Sequence, residues 1–272
     1  MLIWGINFAV SKLGVAEIPP LLFMALRFAC VALIITPFVQ PKLSQLPVIF
    51  LLSLTLGIGH FGLMFLGLAS MDAATAAIVI QLQVPFSAAL AAFFFKEKLG
   101  WLRGAGMAVA FSGVALLSGE PTLPGWLPLL WIIGSGMGFA LANVVVKRIG
   151  AINPVMLNGW MALMASPMLL LLSVIFEANH LEALRNAKFI GWFAIVYTAI
   201  GASIIAYSLW YWLVRRYEMN QIVPFSLLAP AIGVLAGVVI LGEAFTWHKG
   251  VGGILTLTGV SLIQFAPMLR RR

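Results

Sequence analysis

Long apolar stretches separated by short polar turns run through the whole chain. Cutting at charged residues and at turns rich in proline and glycine gives ten segments. They cover residues 1–16, 18–39, 47–69, 73–95, 100–118, 125–146, 154–176, 189–214, 219–242 and 247–268. A helix needs about 20 apolar residues to cross a bilayer, and the alternating pattern of an outer-membrane barrel strand is absent from these segments. The pattern predicts an all-α integral membrane protein of ten transmembrane helices.

The composition agrees with this prediction. The 272 residues are 62% hydrophobic and 9% charged, whereas a soluble domain carries about 25% charged residues. The longest polar stretch between segments runs from Glu177 to Lys188, which leaves no room for a soluble catalytic domain. With a single cysteine, Cys30, the chain is not a disulfide scaffold. Residues 1–7 lack a basic region and a cleavage site, so they are interpreted as part of a span and not as a signal peptide.

The basic residues predict the topology. A net charge of +8 could indicate a nucleic-acid partner in a soluble protein, but no basic run lies beside aromatic residues in a soluble segment. If the N-terminus lies inside, eleven Lys and Arg residues face the cytoplasm and five face outwards, which favours cytoplasmic N- and C-termini. The inner set is Lys42, Lys96, Lys98, Arg103, Lys147, Arg148, Arg215, Arg216, Arg270, Arg271 and Arg272, and the outer set is Lys12, Arg27, Arg185, Lys188 and Lys249.

The chain contains an internal repeat at an offset of 146 residues. The stretch from Glu97 to Leu116 aligns with the stretch from Glu243 to Leu262, and a basic residue follows six positions after each glutamate. Residues 7–14 likewise resemble residues 143–150. The repeat unit is five helices, and because five is odd, the second copy must enter the membrane from the opposite side. Inverted repeats of this kind place a substrate site near the midplane and suit alternating access.

Two groups of motifs resemble the EamA-type members of the drug/metabolite transporter superfamily. The first is Trp4-Gly-Ile-Asn7-Phe with Lys12-Leu-Gly14, Pro19-Pro20 and Ala25-Leu-Arg27-Phe28. The second is Arg216-Tyr-Glu, then Val223-Pro-Phe-Ser-Leu-Leu-Ala-Pro230 and Gly242-Glu243. The resemblance covers two five-helix units, 1–119 and 125–269. It implies export of small metabolites, among which amino acids are the best represented, across a bacterial-type inner membrane. The partners expected are the lipid bilayer and a small-molecule substrate, without nucleic acid; monomer and homodimer both stay open.

Acidic residues are missing from the middle of most segments. Ion-coupled carriers usually keep an intramembrane carboxylate, so the sequence favours facilitated, uncoupled export. The alternative is a proton-coupled carrier of the same superfamily for polyamines, nucleotide sugars or cationic drugs. A membrane-embedded enzyme is the weaker hypothesis, because it would need a cluster of His, Asp, Glu or Ser within the spans. Glycines in segments 5 and 10 follow no strand, so they are interpreted as helix contacts or dimer contacts and not as a nucleotide-binding loop. Neither a cofactor nor a metal is expected.

The polar and aromatic side chains of the spans are the candidates for substrate contact. Each has a second interpretation, namely structural bonding between helices or simple packing. Gln81 and Gln83 cannot share one face of a regular helix, so one is expected at the cavity and the other at a neighbouring helix. His60 is either a neutral imidazole bonded to backbone or a donor in the cavity. The predicted cavity residues are Trp4, Asn7, His60, Gln81, Gln83, Asn143, Trp160, Tyr207 and Ser226.

A second set is expected to have structural or gating roles. Arg27 lies about 12 Å into segment 2, where a charge is costly unless it is paired, snorkelled to the interface or wetted. It is either structural, as a snorkelling side chain or a clamp with Glu17 or Asp72 as partner, or a contact for a substrate carboxylate. Pro85 and Pro230 remove a backbone hydrogen bond in the middle of a span and free a carbonyl. Glu97 and Glu243 end segments 4 and 9 and are expected to tether the next helix.

Overall fold

A computed structural model describes residues 1–149 and 152–269, and within these ranges the chain is helical with no strand. Gly150 of the repeat and Arg270 to Arg272 of the inner basic set lie outside them. The helices are α1 (Leu2–Glu17), α2 (Pro20–Phe38), α3 (Leu43–Ser70), α4 (Ala73–Phe95), α5 (Gly100–Leu117), α6 (Trp126–Ile149), α7 (Pro154–Phe176), α8 (His180–Asn186), α9 (Phe189–Val196, Tyr197–Ile205 and Ala206–Arg216), α10 (Met219–Ser226 and Leu228–Leu241) and α11 (Trp247–Leu269).

Eight of the described helices are long and apolar enough to cross a bilayer, namely α2, α3, α4, α5, α6, α7, α9 and α11. Helix α1 has 16 residues, and α10 is interrupted at Leu227. The helix bounds lie within about four residues of the segment bounds predicted from apolar runs. Helix α8 lies in the polar stretch after α7, where no helix was predicted.

Local sequence signals explain where several helices begin and end. Pro20 and Pro154 stand at the first turn of α2 and α7, where a missing N–H costs nothing. The Asn153 side chain accepts from the backbone of Val155 at 3.0 Å and caps α7. Gly242 follows α10 with a φ of 69°, which a residue without Cβ adopts without strain. These signals set the lengths of the helices and the positions of the turns.

Four helices lose the regular α pattern near their centres. Helices α3 and α9 contain π-helical stretches at Ser53–Gly62 and Tyr197–Ile205. Helix α4 passes through a 3₁₀ turn at Ile80–Leu82 before Pro85, and α10 breaks at Leu227 before Pro230. Proline cannot donate to the carbonyl four residues earlier. Backbone groups are therefore available for new partners at the level where the spans meet.

The helices pack in a pattern that pairs the two halves of the chain. Helix α5 packs along α11 and α2 along α7, while α1 contacts α9 and α10 and α6 contacts α3 and α4. Glycines bring α5 and α11 close together, because a Cβ built on Gly106 would lie 2.7 Å from the Gly259 carbonyl oxygen. The predicted glycine contacts of segments 5 and 10 are thus made within one chain.

The turns divide between two ends of the bundle. The Met1 face holds Met1 and the turns at 39–42, 96–99 and 217–218. The Asp72 face holds the turns at 71–72, 118–125, 177–188 and 242–246, together with α8. The cavity described below opens towards the first of these faces.

Candidate functional site

Two adjoining cavities of about 340 Å³ and 330 Å³ lie between the helices. The walls that they share are Phe61, Phe139, Tyr207 and Trp210. The first cavity extends to Ile152 and Pro154 at the turn before α7, and the second extends to Met1. Together they form one central cavity that reaches the Met1 face.

The structure brings most of the predicted cavity residues together around this space. The second cavity is lined by seven of them and also by Arg27, which was predicted to be structural or gating. Asn143 lines the first cavity, where its amide donates to Ser87 Oγ at 3.1 Å. The seven are Trp4, Asn7, His60, Gln81, Gln83, Tyr207 and Ser226.

Trp160 is the exception and lies outside both cavities. Its indole N–H donates to the Val39 carbonyl at 2.8 Å, at the end of α2. That bond turns the ring towards the α2–α7 contact. The expectation that Trp160 faces the substrate was therefore wrong, and the side chain ties two helices together.

Gln81 and Gln83 both line the second cavity, although a regular helix would point them in different directions. The 3₁₀ turn at Ile80–Leu82 is the reason. Residues two apart differ by about 120° in a 3₁₀ helix, compared with about 160° in an α-helix. The prediction that one of the two would face a neighbouring helix was therefore wrong.

Arg27 lies in the middle of α2 with 2% of its surface exposed. Its Nη2 donates to Ser203 Oγ at 2.8 Å, and its Cζ lies 4.9 Å from the ring centroid of Phe61. The expected partners are engaged at the Asp72 face: Asp72 pairs with Lys249, and Glu17 accepts from the Lys188 backbone. No ion pair among the described residues includes Arg27. The predicted clamp to Glu17 or Asp72 was wrong.

His60 combines both predicted interpretations. Its Nδ1 lies 3.1 Å from the Ser135 carbonyl oxygen and 3.0 Å from Ser135 Oγ. The ring packs on Phe61 and Phe139, and the side chain also lines the second cavity. A histidine held in this way presents one fixed ring face to the cavity.

Aromatic rings form the wall near the Met1 face. Trp4 lies 5.1 Å from Tyr207 and 6.0 Å from Trp210 between ring centroids. The Trp4 indole N–H donates to the Ala202 carbonyl at 3.2 Å, within the π-helical stretch of α9. These rings offer a surface for an apolar group.

The cavity residues that were missed in the sequence include Asn158, Ser203, Trp210 and Gln264. Ser203 is fully within an apolar span and resembles many small packing residues, so its bond to Arg27 could not be anticipated. Gln264 is the one amide of α11, and a bulky polar side chain far inside a span was the signal that could have identified it. The described residues contain no cluster of three metal-ligating side chains.

Charged and polar groups seal the Asp72 face. Lys249 Nζ donates to Asp72 Oδ2 at 2.6 Å and lies 3.9 Å from Glu120 Oε1. The Glu243 carboxylate accepts from the backbone of Ala73 at 2.6 Å and of Ala74 at 2.9 Å. Glu243 therefore caps α4, a helix of the first half of the chain, whereas it was expected to tether the next helix.

Lys12 adds a third contact at this face. Its Nζ donates to the carbonyls of Leu68 and Ala69 at 2.8 and 3.0 Å, at the end of α3. Cations favour the C-terminus of a helix because the last carbonyls are unpaired and carry partial negative charge. Lys12 thus joins α1 to the end of α3 at the Asp72 face.

The ion pairs of the Met1 face are more exposed. Glu97 pairs with Lys147 and lies 3.7 Å from Arg103, and its own side chain is 37% exposed. The hydrogen bond from Lys147 holds the pKa of the Glu97 carboxyl below its usual value. Arg148 stacks on Phe94 at 5.1 Å. Exposed pairs of this kind contribute about 0–1 kcal/mol, so this face is held less firmly.

Comparisons with known proteins agree with this architecture. The EamA-like transporter family matches residues 1–119 and 126–265. A protein of Salmonella typhimurium named "Probable amino-acid metabolite efflux pump" is 32% identical over 100% of this chain and 94% of its own. A protein of the same name from Escherichia coli K12 is 29% identical with the same coverage. A crystal structure that is 21% identical superposes with a TM-score of 0.66 over 100% of this chain and 97% of its own, and so shares its fold.

Proposed function

We propose that this chain, which belongs to the EamA-like transporter family, exports amino acids or similar small metabolites by facilitated alternating access. It is a multi-pass membrane protein and a transporter, not an enzyme. The observation that carries the proposal is the central cavity, which reaches the Met1 face while the Asp72 face is sealed. An alternating-access carrier in one of its two open states has such an asymmetry.

The packing supports ten transmembrane helices in two inverted repeats. In the repeat, α1 to α5 correspond to α6, α7, α9, α10 and α11. If the two halves are exchanged, the contacts of α1 with α9 and α10 become the contacts of α6 with α3 and α4. The α5–α11 and α2–α7 contacts are unchanged by the exchange, because each joins a helix to its own counterpart. The 3₁₀ turn at Ile80–Leu82 falls, after adding 146, on the break in α10 at 226–228. Helices α1 and α10 would then span the membrane although each is short or broken.

The residues of the sealed face have counterparts at the open face. With the same offset of 146, Asp72 corresponds to Glu218, Glu97 to Glu243 and Arg103 to Lys249. At the Asp72 face these groups join α4 to α10 and α11. At the Met1 face, Glu97 and Arg103 pair with each other. We infer that closure of the Met1 face pairs Arg103 with Glu218 and places Glu97 at the start of α10, while the matching contacts at the Asp72 face break.

The cavity chemistry favours small metabolites with a carboxylate over cations. No carboxylate lines either cavity among the described residues, whereas a polyamine or cationic-drug carrier would need one. A nucleotide-sugar carrier would need several cations for the phosphates, and Arg27 is the one lining side chain of the described set that carries a fixed charge. The names of the two efflux-pump relatives point to amino-acid metabolites. The lack of a lining carboxylate also supports uncoupled export.

The excess of basic residues at the Met1 face supports cytoplasmic termini in a bacterial-type inner membrane. In that orientation the cavity opens to the cytoplasm and is ready to load a substrate for export. Arg270 to Arg272, which lie outside the described residues, belong to this basic set by sequence.

Efflux from proteoliposomes tests the proposal. Vesicles containing the purified protein are loaded with a panel of labelled neutral amino acids and diluted without a pH gradient or a membrane potential. We expect release down the concentration gradient faster than from protein-free vesicles. Release of no amino acid in the panel would refute the substrate class, and release that requires a pH gradient would refute uncoupled transport.

A further inference from the structure

Three residues that line the second cavity each hold a buried polar side-chain atom that has no hydrogen-bond partner among the described residues. These atoms are Arg27 Nε, Asn7 Oδ1 and Gln264 Oε1. Arg27 and Asn7 are more than nine-tenths buried. Because buried polar groups are nearly always bonded, three unsatisfied atoms around one space indicate a ligand that bonds to them.

The charge of Arg27 defines one end of that ligand. A guanidinium has five N–H donors. The described contacts are a bond to Ser203 Oγ, a weak one at 3.8 Å to Met24 Sδ, and three phenyl rings with centroids within 6 Å. A buried cation without a carboxylate is costly. A planar carboxylate would neutralise it and match its fork of donors.

The two amide oxygens define the other end. Asn7 lies on α1 and Gln264 on α11, and both contribute to the cavity that Arg27 lines. An ammonium group has N–H donors and no acceptor, so it is the kind of group that carbonyl-type oxygens such as these bind. The rings of Trp4, Tyr207 and Trp210 lie on the same cavity wall and offer an apolar surface.

We propose that Arg27, Asn7 and Gln264 form a subsite for the zwitterion of an α-amino acid. Arg27 binds the carboxylate, Asn7 and Gln264 accept from the α-ammonium group, and the ring wall contacts the side chain. This inference rests on the proposed function and narrows the substrate to molecules that carry both charged groups. Amines without a carboxylate and acids without an amine each leave part of the subsite unsatisfied.

Equilibrium binding to the purified protein in detergent tests the subsite without transport. The probes are labelled L-leucine and L-alanine, with leucinamide and 4-methylpentanoate as competitors that lack the carboxylate and the amine respectively. We expect leucine to compete about 30-fold or more better than either analogue, since losing one partner of a buried, bonded charge has about that effect.

Variants assign each end of the ligand. Arg27→Gln should weaken leucine binding about 30-fold or more while leaving the affinity for leucinamide unchanged. Asn7→Leu should reduce the difference in affinity between leucine and 4-methylpentanoate. As a control, Arg185→Gln removes the same charge from an exposed position on α8 and should change neither the affinity for leucine nor the affinities for the two analogues. If Arg27→Gln does not fold, competition by the two analogues on the unaltered protein still tests whether the subsite needs both charged groups.

The outcomes separate the two proposals. Binding of neither labelled probe, or equal competition by leucine and leucinamide, overturns the subsite. Amino-acid efflux together with equal competition by leucine and leucinamide would support the export proposal and overturn this subsite. Tight, carboxylate-dependent binding without any efflux would support the subsite and overturn the export proposal.

Discussion

At the scale of single residues, the cavity wall depends on backbone that departs from a regular helix. Gln81 lies within the 3₁₀ turn at Ile80–Leu82 and Gln83 follows it directly, so the two side chains face the same cavity. Ser203, which bonds to Arg27, lies in the π-helical stretch of α9. Its hydroxyl also donates to the Thr198 carbonyl at 3.0 Å, five residues earlier. Irregular backbone thus places polar groups at the level where substrate would bind.

Replacing both glutamines by leucine tests their contribution to transport. We expect Gln81→Leu with Gln83→Leu to slow amino-acid efflux about tenfold, because two polar contacts to the substrate are lost at about 0.5–1.5 kcal/mol each. The measurement is the initial rate of efflux from proteoliposomes with matched protein content. Gln40→Leu, at an exposed turn of the Met1 face, is the control. An unchanged rate in the double variant would assign both side chains to helix packing.

The polar side chains of the spans could be found in the sequence, whereas their partners could not. Asn7, His60 and Tyr207 were found because a polar or amphipathic group in an apolar run is costly unless it has a use. Trp160 obeys the same rule but bonds to the Val39 carbonyl. Arg27 was assigned carboxylate partners by distance along the helix, yet its neighbours come from α3 and α9. Such contacts depend on which helices meet, and one sequence does not specify this.

At the scale of helices, the α5–α11 contact depends on glycine at particular positions. A Cβ built on Gly113 would lie 2.6 Å from the Gly252 carbonyl oxygen, whereas one built on Gly104 has no atom within 4 Å. The two glycines share a helix and differ in what they face. They provide a matched pair for testing close packing.

Gly113→Val should destabilise the protein strongly, and Gly104→Val should not. The first substitution forces two backbones apart, and overpacking typically costs about 1–3 kcal/mol. The second has the same effect on helix propensity and no clash. The check is the melting temperature of each purified variant in one detergent. Equal melting temperatures would show that α5 and α11 separate without cost.

Substituting the two glutamates at the ends of α4 and α10 should shift the ratio of the two proposed states of the carrier in opposite directions. Glu243 accepts two backbone bonds and seals the Asp72 face, so Glu243→Gln weakens the state described here. Glu97 makes exposed pairs in this state and, as proposed, a cap in the other one, so Glu97→Gln favours the present state. Charge-assisted bonds of about 1.5–3 kcal/mol correspond to roughly tenfold or larger shifts in the ratio of states.

Accessibility of Asn143→Cys in a Cys30→Ser background measures this shift. Asn143 lines the cavity that reaches the Met1 face, so a maleimide labels it fastest when that face is open. Glu243→Gln should lower the labelling rate and Glu97→Gln should raise or maintain it. If both variants changed the labelling rate in the same direction, the proposal that Glu243 and Glu97 cap helices in alternate states would be contradicted.

At the scale of the whole molecule, the sequence specifies spans more firmly than their arrangement. Apolar length is a local property, so the helix bounds follow from it within a few residues. Helix α8 is short and polar and carries no such signal. The repeat register of 146 came from a Glu–Trp pattern and from glycines, and the α5–α11 contact requires several of those glycines. Which face is sealed could not be anticipated, since under the proposed alternating access both states belong to one sequence.

The buried charge of Arg27 has a consequence for how membrane voltage acts on the carrier. An α-amino acid is a zwitterion without net charge, so a transmembrane potential does no work on it as it crosses. A desamino analogue that met the same guanidinium would carry one negative charge outwards and gain about 2.3 kcal/mol per 100 mV of inside-negative potential. A potassium diffusion potential should therefore leave leucine efflux unchanged and accelerate any residual efflux of 4-methylpentanoate.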